Sequence, residues 1–412
     1  MDNNKIINKI LKEILLEIKP ELKNNEKEFI NIIENKLKNE NIKAKITIGG
    51  SFAKKTHLKK DYDIDVFIRF DYNLYKNKDI SKILFSILKE FNPEIIKGSR
   101  TYYQIEYNNF LYEIVPVLFI TNSSKALNTM DMSPLHVNWM RQQIIINPKL
   151  NDQIRLIKAF CKAQKIYGAE SYIQGFSGHV LDILSAYYGS FIKLLKAVAN
   201  WKEITIIDCE RHYKNENEIL RKINKSKQIS PLIIIDPILK TRNAAAALSK
   251  NNYNKLIELS QKFLKKPNKS FFVKKKIKEK TNKNTIVLNV LSLNKREDIA
   301  GSKLVKAFNI IQQKINKNGF EIIKSEWEWN KKKGKFFFKI KGEIKKEFFI
   351  EGPYIKQKEN VNKFKLKHKK TFILNNRIIA IERRKFVKII DLIKEIIVDD
   401  KIKKLIKDIK IY

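Results

Sequence analysis

Two aspartates spaced two residues apart are the first candidates for chemistry in this sequence. Asp63 and Asp65 border the apolar run 64–70, and in a strand such alternate side chains point to one face. Side-by-side carboxylates repel each other unless cations neutralise them, and their oxygen ligands suit Mg²⁺. Two such ions can hold the attacking and leaving oxygens of a phosphoryl transfer. The pair predicts a Mg²⁺ site, although an Asp-x-Asp pattern alone is also typical of a solvated strand edge.

A third carboxylate is expected from a neighbouring strand. Glu113 stands immediately before the apolar run 114–120, and an acid that enters such a run needs a partner. We predict that Glu113 joins the aspartate pair as a catalytic residue and metal ligand. Asp61 and Glu106 are the alternatives.

A glycine-rich turn lies just upstream of the aspartates. Gly49, Gly50 and Ser51 open a short predicted helix, where backbone N–H groups and a hydroxyl face a polyphosphate. Lys54 and Lys55 add positive charge. The turn alone is a weak signal. Its position upstream of Asp63, Asp65 and Glu113 favours a nucleotide-binding role for these acids over a solvated strand edge.

The elements that must position these residues follow from periodicity. Residues 6–37 predict two helices broken at Pro20, and residues 151–200 and 243–264 carry a helical period. The head elements are strands 45–48, 64–70, 101–107 and 110–120, a helix 82–91 and an Asn108-Asn109 turn.

The C-terminal part alternates between strands and helices. Its predicted order is strand 285–291, helix 302–317, strands 320–327 and 335–340, segment 359–368, strand 371–382 and an amphipathic last helix 386–409. This βαββαβ order favours a ferredoxin-like unit. We expect an α+β multidomain protein with a mixed-sheet head (1–145), a helical neck (146–264) and an α+β RNA-binding body with a helical tail (265–412).

The composition favours a nucleic-acid partner. The 412 residues include 84 Lys and Arg against 44 Asp and Glu, and phosphates attract a chain with a net charge of +40. No apolar run approaches the roughly 20 residues that span a bilayer. Cys161 and Cys209 have neither zinc-site spacing nor the number needed to staple a chain of this length. We expect a folded cytoplasmic protein without a membrane partner.

The Gly-Ser turn followed by Asp-x-Asp resembles the nucleotidyltransferase superfamily of DNA polymerase β. Further motifs resemble the archaeal-type (class I) CCA-adding enzymes, the tRNA nucleotidyltransferases that complete tRNA 3′ ends. These motifs run nearly from end to end: Ser133-Pro134-Leu135-His136, Tyr167-Gly168-Ala169-Glu170, Gly175-Phe176-Ser177-Gly178-His179, Ile235-Asp236-Pro237, Arg242-Asn243-Ala244-Ala245-Ala246 and Glu351-Gly352-Pro353.

The resemblance implies roles for particular residues. The carboxylates Asp63, Asp65 and Glu113 match the catalytic positions, the third of which is commonly Asp in the family. The residues that match triphosphate-binding positions are Ser51, Lys54 and Thr56, and those that match nucleotide contacts in the cleft are His136, Lys158 and Tyr167.

Arg242 matches the arginine with which the family reads the base. Cytosine and adenine both present an acceptor ring nitrogen beside an exocyclic amine, whereas uracil and guanine present the reverse. An arginine donor would therefore admit CTP and ATP and reject UTP and GTP. The family often has a second acid after Asp236-Pro237, where this chain has Ile238-Leu239.

The expected activity is the Mg²⁺-dependent addition of C, C and A to tRNA, gripped at its acceptor stem and T arm, and the resemblance implies a homodimer. Another template-independent RNA nucleotidyltransferase, such as a poly(A) or oligo(U) polymerase, is the first alternative. A degenerate, non-catalytic RNA-binding protein is the second. An antibiotic or protein nucleotidyltransferase ranks last, because it has no use for the long basic C-terminal half.

Overall fold

The computed structural model describes residues 3–20, 26–59, 63–274, 276–277, 280–342 and 344–412. The chain forms two compact units, Met1–Lys274 and Lys275–Tyr412. Both the predicted head and the predicted neck fall within the first unit. The three-domain boundaries at 145 and 264 stay a prediction.

The first unit combines one large mixed sheet with many helices. Its helices are α1 (Asn3–Ile18), α2 (Glu26–Asn39), α3 (Gly50–Ala53), α4 (Tyr72–Tyr75), α5 (Ile80–Leu88), α6 (Ser133–Ile146), α7 (Leu150–Ala163), α8 (Gly178–Tyr188), α9 (Phe191–Val198), α10 (Glu216–Lys222) and α11 (Lys250–Lys265). Its strands are β1 (Ala44–Ile48), β2 (Ile64–Phe70), β3 (Glu94–Lys97), β4 (Thr101–Tyr107), β5 (Phe110–Leu118), β6 (Thr205–Ile207) and β7 (Leu232–Ile234).

The large sheet has the strand order β1-β2-β5-β4-β3. Strands β2 and β5 are parallel and the other neighbours are antiparallel, so the predicted mixed sheet is confirmed. Alternate apolar residues of these strands pack against α2 and α5 to form one core. Asn108 and Asn109 both adopt positive φ (47° and 65°), which confirms the predicted hairpin turn between β4 and β5. Strand β3 was not predicted.

A second core of the first unit is helical. Helices α7, α8, α9 and α11 pack around Phe160, Phe191 and Phe263, and the parallel pair β6–β7 contributes Leu232 and Ile234. Helix α1 packs on α7 through Ile7, Leu11 and Ile14, so the first helix of the chain joins this core and not that of the large sheet. The helical pattern of residues 151–200 belongs to three helices, α7 to α9.

The second unit contains two sheets. Its elements are β8 (Thr285–Leu291), α12 (Glu297–Lys317), β9 (Ile322–Trp329), β10 (Lys333–Ile340), β11 (Glu347–Tyr354), α13 (Lys358–Lys367), β12 (Thr371–Leu374), β13 (Arg377–Arg383), α14 (Ile389–Ile397), α15 (Asp400–Lys403) and β14 (Asp408–Ile411). The four-stranded sheet has the order β14-β8-β10-β9, and all its neighbours are antiparallel. This is a ferredoxin-like βαββαβ arrangement, as predicted. Its second helix and last strand are α14 and β14, however, and not the expected segment 359–368 and strand 371–382.

Two details of the predicted C-terminal part are wrong. The strand expected over 371–382 is a hairpin, because Asn375 and Asn376 turn the chain with φ of 47° and 60°. It forms a separate sheet, β11-β13-β12, inserted between β10 and α14. The single helix expected over 386–409 ends at Ile397, because the Asp399 side chain caps a new short helix and the chain then pairs with β8 as β14. None of the helices in the described segments has the length and apolarity needed to cross a membrane.

Candidate active site

The predicted carboxylates lie on two adjacent parallel strands. Asp65 of β2 lies directly opposite Glu113 of β5 in the strand ladder, and Asp63 is an exposed residue just before β2. Gln104, opposite Glu113 on β4, donates its amide N–H to Glu113 Oε1 at 2.5 Å. The parallel register, which spacing along the chain did not show, therefore places Glu113 beside the aspartate pair.

The two alternatives for the third carboxylate have different outcomes. Glu106 lies opposite Leu111 on β5, further along the strands, and its side chain is exposed. Asp61 lies outside the described residues. Of the acids that the structure describes, Glu113 is the one aligned with Asp65.

The carboxyl group of Asp65 is strongly perturbed. Burial raises its pKa to about 7, and the negative charges of Glu113 and Asp63 act in the same direction, while Lys54 opposes them. The positive charge of Lys54 therefore does not balance the negative charges of the neighbouring carboxylates. A divalent cation would relieve this repulsion, so the oxygen-rich donor set and its raised pKa fit Mg²⁺.

The glycine turn approaches this carboxylate closely. The Gly49 N–H donates to the Asp65 carbonyl oxygen at 2.7 Å, which fixes the turn against β2. Gly50 has a φ of +54°, and a Cβ atom there would lie 1.6 Å from Asp65 Oδ2. Only glycine suits both the backbone conformation and the space. The Thr56 N–H donates to the Ser51 carbonyl oxygen at 2.9 Å and closes the following loop.

Lys54, a predicted triphosphate-binding residue, and Lys158, a predicted nucleotide contact, meet at one buried acid. Lys158 Nζ lies 3.2 Å from Asp182 Oδ1, and Lys54 forms an ion pair with the other carboxylate oxygen. Lys158 also donates to Thr56 Oγ1 at 3.0 Å, which joins α7 to the loop after α3. The role of Asp182 was not predicted from the sequence. The signal for it is an acid within the otherwise apolar helix α8, because a buried acid needs a partner.

Burial and the attraction between opposite charges act against each other on the pKa values of Lys158 and Asp182. Burial lowers the pKa of Lys158 to about 8, against the attraction of Asp182. Burial alone would raise the pKa of Asp182, but Lys158 and Lys54 outweigh it and the pKa is lowered. Asp182 is therefore an anion held between two cations, which keeps two amino groups near the glycine turn.

Tyr167 lies beside the same lysine. A Cβ atom on Gly178 would lie 2.9 Å from the Tyr167 hydroxyl oxygen and 3.9 Å from Lys158 Cε, so both side chains border this glycine. The Lys162 ammonium lies 4.7 Å from the centre of the Tyr167 ring. The structure thus groups Lys54, Thr56, Lys158 and Tyr167 around the first turn of α8.

The remaining predicted residues, His136 and Arg242, share a second buried acid. Asp236 accepts hydrogen bonds from His136 Nε2 at 2.8 Å, from His179 Nε2 at 3.2 Å and from the Arg242 guanidinium at 2.9 Å. Burial opposes the charge on Asp236, but the two histidines hold its pKa below the usual range. Asp236 and His179 were quoted in motifs without a predicted site role. Helix α8 carries His179 and Asp182 one turn apart and so borders both groups.

His136, His179 and Asp236 could also hold a metal by position, since their ligand atoms lie within 4.8 Å of one another. Arg242, however, already places a positive charge 2.9 Å from Asp236 Oδ2. The same carboxylate also caps the following turn by accepting from the Ile238 and Leu239 N–H groups. A cation would have to displace these bonds, so the carboxylates around Asp65 fit a divalent cation better than this group does.

A mixed sheet that aligns carboxylates beside a Gly-Ser turn defines a nucleotidyltransferase. Residues 27–120 match the family model "Nucleotidyltransferase domain", residues 152–273 match "tRNA nucleotidyltransferase, second domain" and residues 286–410 match "CCA-adding enzyme, C-terminal domain". The chain belongs to the archaeal-type CCA-adding enzymes, the tRNA nucleotidyltransferases, which confirms the resemblance noted in the sequence.

Curated relatives agree with this assignment, and a solved structure shares the fold. The chain is 35% identical to the CCA-adding enzyme of Nanoarchaeum equitans over 80% of its own length and 81% of the relative. It is 33% identical to that of Methanocaldococcus jannaschii over 85% and 80%. A structure of the Cid1 poly(U) polymerase has a TM-score of 0.54 at 14% identity, covering 66% of this chain and 99% of that one. At this identity the likeness shows the fold alone.

Proposed function

We propose that this enzyme adds C, C and A to the 3′ end of tRNA from CTP and ATP, with release of pyrophosphate. The observation that carries the proposal is the alignment of Asp65 with Glu113 beside Gly50, in a chain of the CCA-adding family. The tRNA 3′-hydroxyl attacks the α-phosphate of the bound nucleotide in this reaction.

The three carboxylates Asp63, Asp65 and Glu113 would hold Mg²⁺, which when bound stabilises negative charge that develops on the reacting phosphate. Gln104 orients Glu113 through its 2.5 Å hydrogen bond. Because the pKa of Asp65 is about 7, a fraction of the molecules carries a protonated Asp65 at neutral pH. Binding of a cation would displace this proton. Gly50 lets the turn approach the Asp65 carboxylate closely, because a Cβ atom at this position would lie 1.6 Å from Asp65 Oδ2.

The group around Asp182 supplies the phosphate-binding cations. Lys54 and Lys158 are held beside the loop that follows the glycine turn, and Ser51 adds a hydroxyl donor in that loop. The Thr56 hydroxyl is fully buried and accepts from Lys158, so it holds this lysine in place. Because both lysines are already ordered by Asp182, less side-chain entropy is lost when a triphosphate binds.

Arg242 reads the base in this proposal, with His136 and Tyr167 as further nucleotide contacts. The Arg242 side chain is 39% exposed although its partner Asp236 is fully buried, so the guanidinium remains accessible to a nucleotide. A donor aimed at the ring nitrogen that cytosine and adenine share would accept both and reject uracil and guanine.

The basic surface is the expected contact for the acceptor stem and T arm of tRNA. A chain with a net charge of +40 binds phosphates by charge, and A-form RNA is recognised through its backbone and shape. We further propose that the enzyme is a cytoplasmic homodimer, which the family resemblance and the sparse cysteines support.

The test is gel-resolved extension of a tRNA transcript that lacks its last three nucleotides, with Mg²⁺ and each NTP alone or with CTP plus ATP. We expect two C additions with CTP alone and termination after one A in the mixture. Asp65→Ala should abolish extension while tRNA binding remains, and Glu113→Gln should do so far more than the matched control Glu106→Gln. Turnover in Asp65→Ala or equal effects of the two glutamate variants would contradict the assignment.

The same gel separates the alternatives. Long homopolymer tails from a single NTP would indicate a poly(A) or oligo(U) polymerase, for which the Cid1 likeness gives fold support only. Tight tRNA binding without any extension would indicate a degenerate RNA-binding protein.

A further inference from the structure

The loop between β7 and residue 243 is built around one carboxylate. Asp236 caps the turn by accepting from the Ile238 N–H at 2.9 Å and the Leu239 N–H at 3.1 Å. Its own N–H donates to the Arg242 carbonyl oxygen at 3.0 Å, and the Arg242 N–H donates to the Leu239 carbonyl oxygen at 2.9 Å. The backbone of Arg242 is therefore fixed relative to Asp236.

The same carboxylate fixes the side chain of Arg242. One guanidinium nitrogen donates to Asp236 Oδ2 at 2.9 Å. Within the described segments, Asp236 is the only side chain that accepts a hydrogen bond from this guanidinium. An arginine has five N–H donors in a rigid planar fork, so one fixed hydrogen bond orients the others.

Two histidines hold the carboxylate in turn. His136 on α6 and His179 on α8 both direct Nε2 at Asp236, with ring centres 4.4 Å apart. Burial lowers the pKa of His179, so at neutral pH this ring contributes a neutral donor and not a competing charge. Arg242 is thus paired with a fully buried carboxylate that two further side chains hold in place.

We propose that Asp236 is a specificity-determining positioning residue, which acts through Arg242 to set the preference for CTP and ATP over UTP and GTP. This inference rests on the proposed function, because it assumes that Arg242 reads the base. Asp236 itself does not touch the nucleotide. Its anionic oxygen holds the guanidinium in one plane, so that a free N–H meets the acceptor nitrogen of cytosine or adenine.

Orientation matters because discrimination depends on leaving the wrong base unpaired. A fixed N–H facing the N–H of uracil or guanine leaves two donors without an acceptor. A mobile guanidinium would rotate and reach the neighbouring carbonyl oxygen of either base instead. Loss of Asp236 should therefore raise the use of UTP and GTP, and not simply slow every nucleotide equally.

The experiment compares kcat/KM for CTP and UTP on a tRNA transcript that lacks its last three nucleotides. Asp236→Asn keeps the volume of the side chain and removes its charge. We expect the CTP-over-UTP ratio to fall roughly tenfold to a hundredfold, the range for a lost charge-assisted hydrogen bond. In an Arg242→Gln background the same substitution should leave the ratio unchanged, because a residue that acts through Arg242 has no effect without it.

Asp182→Asn is the matched control, since it removes another buried carboxylate that pairs with lysines and not with Arg242. It should lower kcat/KM for both nucleotides by a similar factor. An unchanged ratio in Asp236→Asn, or equal effects of the two variants on the ratio, would overturn the inference. If wild type itself does not prefer CTP, the proposed function fails and not this inference alone.

A fold check by circular dichroism accompanies each variant. If Asp236→Asn does not fold, Asp236→Glu takes its place, because it keeps the charge and moves it by one methylene. We then expect a smaller loss of discrimination, and a wild-type ratio in folded Asp236→Glu would overturn the inference.

Discussion

The crowded carboxylates predict that the active site costs stability. Asp65 has an ordinary pKa of 3.8 in an unfolded chain and about 7 in the folded protein, where burial, Glu113 and Asp63 disfavour its charge. In metal-free protein, replacement of Asp65 by Asn removes that unfavourable charge and keeps the size of the side chain. We therefore expect Asp65→Asn to unfold less readily than wild type at alkaline pH, although we also expect it to lack activity.

The sign and size follow from proton linkage. Because the pKa is higher in the folded state, the folded protein binds more protons between these two values, and stability falls as pH rises through that window. Below an unfolded pKa of 3.8 the contribution vanishes, and above about 7 it is complete. At about 1.4 kcal/mol per pH unit the full penalty is roughly 4 kcal/mol.

The assay is equilibrium urea unfolding of the full chain with a chelator, at about pH 5 and about pH 8.5. Asp65→Asn should gain most of its advantage at the higher pH, and added Mg²⁺ should stabilise wild type but not the variant. Glu94→Gln, an exposed carboxylate of edge strand β3, is the matched control and should shift neither curve by more than about 0.5 kcal/mol. An Asp65→Asn variant no more stable than wild type at the higher pH would refute the reasoning.

Two further substitutions test the surroundings of the site. Gly50→Ala should reduce turnover at least about a hundredfold, because the added Cβ would collide with Asp65 Oδ2. Gly189→Ala is the control, since Gly189 also has a positive φ but no atom lies near its Cβ position. It should keep its activity and lose about 1 kcal/mol of stability. Equal turnover of the two alanine variants in the extension assay would contradict this. Asp182→Asn should lower the free energy of unfolding by about 3 kcal/mol, because Lys54 and Lys158 lose their buried counter-charge. Asp399→Asn should lower it by less than about 1 kcal/mol, because the lysine that loses its partner there, Lys314, is half-exposed to water. Unfolding midpoints that do not separate these two aspartates would show that the buried pair contributes nothing.

Local patterns sufficed for four of the five strands of the large sheet, all except edge strand β3. Strand β2 begins and ends where alternating apolar residues predict, and the Asn108-Asn109 turn lies where two asparagines allow positive φ. Asn375-Asn376 carries the same signal for a turn, but the apolar residues on both sides of it are also typical of one continuous strand. The last helix failed for a different reason, because β14 exists through its pairing with β8, more than a hundred residues earlier in the chain.

The candidate site likewise contains residues that local sequence indicates and residues whose contacts depend on packing between distant elements. Residue type and spacing single out Asp63 and Asp65, because their roles depend on neighbours in the chain. The partners Asp182 and His179 act across elements, on lysines and an acid from other segments, and their contacts follow only from the packing of α8. Family resemblance indicated Arg242, but only the folded loop shows that Asp236 accepts a hydrogen bond from its guanidinium.

The position of α1 has a consequence for synthesis of the chain. Its apolar residues Ile7, Leu11 and Ile14 belong to the core built with α7 and α8, although the whole large sheet is translated between them. During synthesis α1 is therefore made before the sheet and well before the helices that cover its apolar face. Until α7 and α8 follow, that face has no partner in its own core, and exposed apolar surface of this kind is open to chaperones or to another nascent copy.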